Sequence, residues 1–158
     1  MLEVARRAII TALRTRFSLA LVPTIYLTEV PADFERPSFY LERMLPFRGE
    51  DIATHMRRYP HSWQIVYFPA LDDAGNEDMA NLQSAAMPLE ELFGQQKTMI
   101  LTGLPGGDAM AQIDGFSWEE RDGVGYGSLQ FSVFLMREDA DADLLQSLEL
   151  SVASTNER

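Results

Sequence analysis

Residues 56–68 read MRRYPHSWQIVYF, and the stretch ends with apolar side chains on both faces, Trp63, Ile65 and Tyr67 alternating with Gln64, Val66 and Phe68. A run of aromatic and β-branched residues that buries both faces reads as a strand from the middle of a sheet. Pro60 has no N–H to give to a ladder, so it predicts a bulge or an edge at that point. Ser38–Phe47 has two aromatic residues near its start and alternates weakly, which reads as a second strand paired with the first. Pro46 and Gly49 mark a bend between the two, and the long connection Arg48–His55 reads as a projecting arm.

Upstream, Leu2, Ala5, Ile9, Leu13 and Phe17 recur at spacings of three and four, the stripe of an amphipathic helix of about four turns. Pro23 follows it, Thr24–Leu27 forms a short strand, and Pro31 and Pro37 bracket a turn region. Downstream, Pro69 closes the central strand and Asp72–Asn76 forms a turn. Asn76 reads as an N-cap, with Glu77 and Asp78 in the first helical turn, where the helix dipole favours acids. The apolar stripe of this second helix is Met79, Leu82, Ala86, Leu89 and Phe93, ending at Gly94, and Pro88 predicts a kink or split near Met87. Thr102–Asp108, with three glycines and a proline, reads as a loop.

Phe116, Trp118 and Glu120 then alternate with Ser117 and Glu119, Asp122-Gly123 signals a tight turn, and Leu129, Phe131, Val133 and Leu135 share one strand face, together a hairpin. The sum is a single α+β domain with a mostly antiparallel sheet and two main helices packed on one face. The domain spans 1–138, and 139–158 reads as a short C-terminal helix and a flexible end.

Composition narrows the function. The chain has 158 residues, no cysteine and a formal net charge of −11. Without cysteine, disulfides, thiolate metal sites and a thiol nucleophile are excluded, which fits a reducing cytoplasm. No uninterrupted apolar run is long enough to span a bilayer, so no membrane partner is expected. A chain this acidic repels a phosphate backbone. Its basic residues are nearly all arginine, which suits fixed contacts with carboxylates, although high-GC coding produces the same bias.

Chemistry is hard to find in the sequence. His55 and His61 lie six apart with no third ligand at metal spacing, so surface or strand-edge histidines are the simpler reading and no metal is expected. The acids from Asp72 to Asp78 lack the order of a calcium loop and are explained by a capped helix start. Gly103, Gly106 and Gly107 are not followed by the lysine and hydroxyl residue of a phosphate cradle. No serine sits in a nucleophile elbow, and Glu119 and Glu120 would point to opposite sides of a strand. The strand aromatics lack interleaved basic residues and serve a core better than a base-stacking surface. No catalytic residue and no cofactor is expected.

The order and spacing of segments, however, resemble the phage tail terminator family. Glu29, Phe34, Pro37 and Phe39 resemble the family's early acidic, aromatic and proline pattern. Arg57, Arg58 and Tyr59 leading to Tyr67, Phe68 and Pro69 are similar to its middle strand, Asn76–Phe93 to the following helix, and Asp122, Gly123, Val124 and Phe131 to its terminal hairpin. The likeness runs from Glu3 to Leu150. The chain departs from the pattern at Gly125–Ser128, which reads as an insertion before the last strand, and at Pro88.

The resemblance implies a non-enzymatic structural protein of a tailed-phage or prophage particle. It implies a ring homo-oligomer, a hexamer, that caps the tail tube, with tail tube protein on one side and neck or head-completion proteins on the other. DNA only passes through its lumen. It also implies a place at the head-proximal end of the virion tail after assembly in the host cytoplasm. A closed ring needs two different complementary patches per subunit. Arg48, Glu50, Asp51, Arg57 and Arg58, on the arm, form the expected subunit interface, since several arginines there can pair with a neighbour's acids; a solvated hairpin is the plainer alternative. A neck or head-completion protein and a small enzyme or ligand-binding domain are the competing function classes.

Overall fold

A computed structural model describes residues 1–44, 48–104 and 106–136. The expected end of the second strand at 45–47, and the helix and flexible end over 139–158, lie outside the described residues. The described chain runs α1 (Leu2–Arg16), β1 (Thr24–Tyr26), β2 (Ser38–Arg43), β3 (Glu50–Ala53), β4 (Met56–Phe68), α2 (Met79–Leu89), a π-helical turn (Glu90–Gln95), β5 (Thr98–Leu104), β6 (Gly107–Arg121) and β7 (Val124–Met136). This is the α+β domain expected, with one seven-stranded sheet.

The sheet order is β1-β2-β4-β7-β6-β5, with β3 added beside β4, and every pairing except parallel β1–β2 is antiparallel. β4 is central, flanked by β7 along nearly its whole length and by β2 and β3 at opposite ends of its other side. Pro60 makes no bulge, because pairing with β7 stays in register from Met56–Met136 to Tyr67–Gly125. On the other side β2 pairs only from Trp63 onward and β3 only up to Arg58, so Pro60 falls in the gap between them. The Ser62 carbonyl on that side accepts the Met44 amide at 2.9 Å. Amides two residues apart in a strand point the same way, so the missing N–H of Pro60 faces the gap and costs no ladder bond. The edge expected there is local.

One sheet face carries the core. Phe39, Leu41, Ile65, Leu101, Leu129, Phe131 and Val133 are fully buried there under Ala5, Ile9 and Leu13 of α1 and Leu82, Ala85 and Leu89 of α2. Each fully buried phenylalanine or leucine contributes about 1.5–3 kcal/mol relative to exposure. Phe17, just past α1, stands edge-on to Phe39 with ring centroids 4.9 Å apart. Arg14 then holds the connection to β1, donating to the carbonyls of Val22 and Pro23.

Four expectations change. The cap of α2 is Asp78, whose side chain accepts from the amides of Ala80 and Asn81; Asn76 belongs to the preceding turn, which Asp72 organises by accepting from Ala74 and Asn76. The buried stripe is Leu82, Ala85, Leu89, Leu92 and Phe93, whereas Met79 is 48% exposed. Pro88 does not split the helix at Met87: α-helix continues through Leu89 and widens into the π turn, with the Glu90 amide shared between the Ala86 and Met87 carbonyls. Thr102–Asp108 is the meeting of β5 and β6 and not a loop, with positive φ at Gly103, Gly106 and Gly107 making the reversal and a register shift between Leu101 and Leu104 absorbing the excess residues.

The terminal hairpin has the turn expected: φ is 52° at Asp122 and 73° at Gly123, the pair of left-handed residues that a two-residue type I′ turn requires. Gly125–Ser128, where the chain departs from the family pattern, forms no loop. It lies inside β7, in register with β6 from Ser117–Ser128 to Glu120–Gly125.

Candidate assembly surfaces

The expected interface residues lie on a hairpin finger at the sheet edge, β3 paired with a segment of β4 that is itself bonded to β7 through Met56–Met136 and Arg58–Phe134. β3 pairs with β4 through Glu50–Arg58, Asp51–Arg57 and Ala53–Met56, and turns at Thr54 and His55. All four β3 residues are exposed, including Ile52 at 49%. Among the described residues β3 pairs only with β4, so its outer edge presents open backbone groups. The arm expected from sequence is therefore an edge strand of the main sheet and not a projecting ribbon.

The finger's charges are not equivalent. Arg57 works inside it: Nε lies 3.4 Å from Asp51 Oδ1, Nη2 donates to the Gly49 carbonyl at 3.2 Å, and the guanidinium lies 5.7 Å from the Tyr59 ring centroid. Gly49 lets this happen, because a Cβ there would fall 2.6 Å from Arg57 Nε and from Tyr59 Cε1. Arg58 instead reaches across the uncovered sheet face, donating to Ser132 Oγ on β7 at 2.8 Å, with Asp114 Oδ2 on β6 3.5 Å away. Ser132 is fully buried and itself donates to Asp114. Arg58 thus ties three strands together. Arg48 and Glu50 are exposed at the finger's base and carry no such network among the described residues.

A second feature of the uncovered face had no sequence signal. Ile100 and Met110 are cross-strand partners on β5 and β6, and each is 63% exposed. A shallow hollow beside them is lined by Thr98, Met110, Gln112 and Phe134, with Lys97 at its rim. Met136, 72% exposed, ends β7 on the same face. Alternation alone could not reveal this patch, because its residues are apolar on a face that elsewhere carries polar ones.

The residues that carry the family likeness have structural work. Phe39 is in the core, while Phe34 folds back onto β4, its ring centroid 4.7 Å from that of Phe68, with the Arg36 guanidinium 4.7 Å above it. Arg36 also lies 3.6 Å from Glu77, linking this loop to the start of α2. Tyr67 is buried and hydrogen-bonded to Asn81, and desolvation by burial pushes its hydroxyl up to about 12.

The two histidines are separated by the fold. His55 is exposed at the finger's tip, whereas His61 is 5% exposed and stacked on Phe131 at 4.8 Å with the rings 7° from parallel. Burial lowers the pKa of His61 to about 4, with the Met1 amino group and Arg43 adding repulsion. Among the described residues no group of three His, Asp or Glu side chains could hold a metal ion, and no helix is long and apolar enough to cross a membrane.

The model of a family described as phage tail terminator protein matches residues 5–143. The chain belongs to that family. Among curated proteins no relative matches it. As a phage tail terminator it is a structural protein of the virion tail, a family not known for enzymatic activity, and its open β3 edge and exposed apolar patch are features suited to assembly.

Proposed function

We propose that the chain closes into a hexameric ring that caps the tail tube at its head-proximal end and offers its far side to neck and head-completion proteins, having assembled in the host cytoplasm. The observation that carries this reading is the β3–β4 finger, a sheet-edge hairpin with an open outer edge and exposed Glu50, Asp51 and Ile52, on a chain of the terminator family. A head-to-tail ring needs two different complementary patches on each subunit. The finger, with its open β3 edge, is one of them. Arg48, Glu50 and Asp51 make its charged contacts, with Arg57 holding Asp51 in place and Arg58 fixing the finger's root to the sheet. The apolar patch around Ile100 and Met110 supplies a second surface for the tube protein or the neighbouring subunit.

The net charge of −11 also suits a ring through which DNA passes, since a lumen lined by carboxylates does not hold phosphate. A basic lumen with the acids on the outer wall would sink that part of the reading.

The test is the mass of the purified protein by light scattering over a range of concentrations, alone and with its cognate tail-tube protein. A hexamer, or a monomer that becomes a ring only on the tube, supports the reading; a monomer indifferent to tube protein overturns it. The double reversal Arg48→Glu with Glu50→Arg should reduce ring formation while changing monomer stability by no more than about 0.5 kcal/mol. Arg58→Ala should instead lower stability by about 0.5–1.5 kcal/mol, because it removes the donor to the buried Ser132 hydroxyl, which keeps its bond to the partly exposed Asp114.

A further inference from the structure

The uncovered sheet face has an apolar corner, and the chain leaves the sheet from its rim. Ile100 and Met110 are partners across β5 and β6, Ala111 pairs with Val133 beside them, and Met110 and Phe134 line one hollow of about 470 Å³. Met136 follows Phe134 by two residues and so shares its face. Ile100, Met110 and Met136 are 63%, 63% and 72% exposed, three large apolar side chains that nothing covers among the described residues. Met136 is also where β7 ends, so the sequence runs on from the rim of this patch into 137–158.

That continuation carries apolar side chains of its own. Leu144, Leu145, Leu148 and Val152 recur at the three-and-four spacing of a single stripe, and Glu149 follows the leucines directly. The family match stops at residue 143, so these leucines lie outside the stretch that the chain shares with the family. The charges on the face give the patch two different ends. Asp108, two residues from Met110, stands at the end near Met136, while Lys97 lies at the rim of the hollow at the other end. Between them Arg58 is taken up by Ser132 and Asp114. Lys97 is exposed and belongs to none of the ion pairs among the described residues. A segment anchored at the rim has a local concentration of order millimolar, so contacts too weak to hold a free partner can hold it.

We propose that the C-terminal segment 139–158 of the same chain covers this patch, with Leu144, Leu145 and Leu148 against Ile100, Met110 and Phe134 and with Glu149 beside Lys97. Each free subunit then carries the cover for its own apolar corner. The same patch is assigned above to the tube protein or a neighbouring subunit, and on that reading the segment must be displaced when the particle assembles. The covering itself does not depend on the ring.

The test uses full-length protein with ¹³C-methyl methionine and a neutral soluble nitroxide, which broadens the signals of exposed methyl groups; Met110→Leu assigns the Met110 signal. Met87, 63% exposed on α2, is the uncovered reference. Met110 should be broadened at least about threefold less than Met87, and the triple change Leu144→Ser, Leu145→Ser and Leu148→Ser should bring the two level. Lys97→Glu should raise the broadening of Met110 about twofold, and adding Glu149→Lys to it should reverse the rise. A Met110 as broadened as Met87 in the parent, or equally protected in the triple variant, overturns the proposal. So does protection that returns when the labelled triple variant is mixed with an excess of unlabelled parent, because a neighbour's segment is then the cover. Light scattering on the same samples reads the ring separately: a ring with Met110 bare sinks the covering alone, and a protected Met110 in a monomer indifferent to tube protein sinks the ring alone.

Discussion

The Tyr67 hydroxyl donates to Asn81 Oδ1 at 2.8 Å, and the same oxygen accepts the Ala70 amide at 2.9 Å. One side chain in the first turn of α2 therefore satisfies both the buried end of β4 and the turn that leaves it. Asn81→Ala should cost about 1–3 kcal/mol, because it strands a buried hydroxyl and an amide together, whereas Tyr67→Phe should cost about 0.5–1.5 kcal/mol. Urea denaturation of both single variants and the double variant checks this, and the double should cost less than the sum.

The start of α2 separates two neighbouring polar residues by role. Asp78→Ala removes the cap that holds the Ala80 and Asn81 amides and should destabilise by about 1 kcal/mol. Asn76→Ala, which removes no cap, should stay within about 0.5 kcal/mol of the parent in the same denaturation experiment. Equal losses would mean that the helix begins where its acids first suggest.

Gly125 is where β7 makes room for β6. A Cβ there would lie 2.1 Å from the far edge of the Trp118 ring and 3.1 Å from Leu82, whereas a Cβ on Gly115 would meet nothing within 4 Å. Gly125→Ala should therefore destabilise by about 1–3 kcal/mol through overpacking, and Gly115→Ala should be near neutral. Thermal melts of the two variants give the comparison, and Trp118→Ala should recover part of the Gly125→Ala loss.

His61 makes stability depend on pH. Its folded pKa, lowered to about 4, lies below the unfolded value of 6.5, so between those values the unfolded chain takes up a proton that the folded chain refuses. The contribution is complete above pH 6.5 and declines as pH falls toward 4, by at most about 1.4 kcal/mol per pH unit and by roughly 3 kcal/mol in all. His61→Phe, which keeps a ring against Phe131, should lose less stability than the parent between pH 7 and pH 4.5 in urea titrations. Parallel losses in the two proteins would remove His61 as the cause.

Much of this molecule follows from local pattern. The apolar run of residues 56–68 makes a central strand because both its faces need cover, the three-and-four spacing from Leu2 to Phe17 makes an amphipathic helix, and Asp122-Gly123 makes a tight turn because its two residues tolerate positive φ. The segments' order was enough to show the family likeness. What the sequence left open depended on partners distant along the chain. Which of Asn76 and Asp78 caps α2 is decided by where Asp72 and Asn81 anchor the flanking turn, and a one-residue shift of its stripe to Ala85 and Leu92 is decided by the sheet beneath. Arg57 and Arg58 look alike in sequence, yet strand alternation turns one into its own hairpin and the other across three strands to Asp114. Among the described residues β2 outruns β1, which ends after three residues while β2 continues to Arg43, a difference in length between two strands that no local spacing encodes.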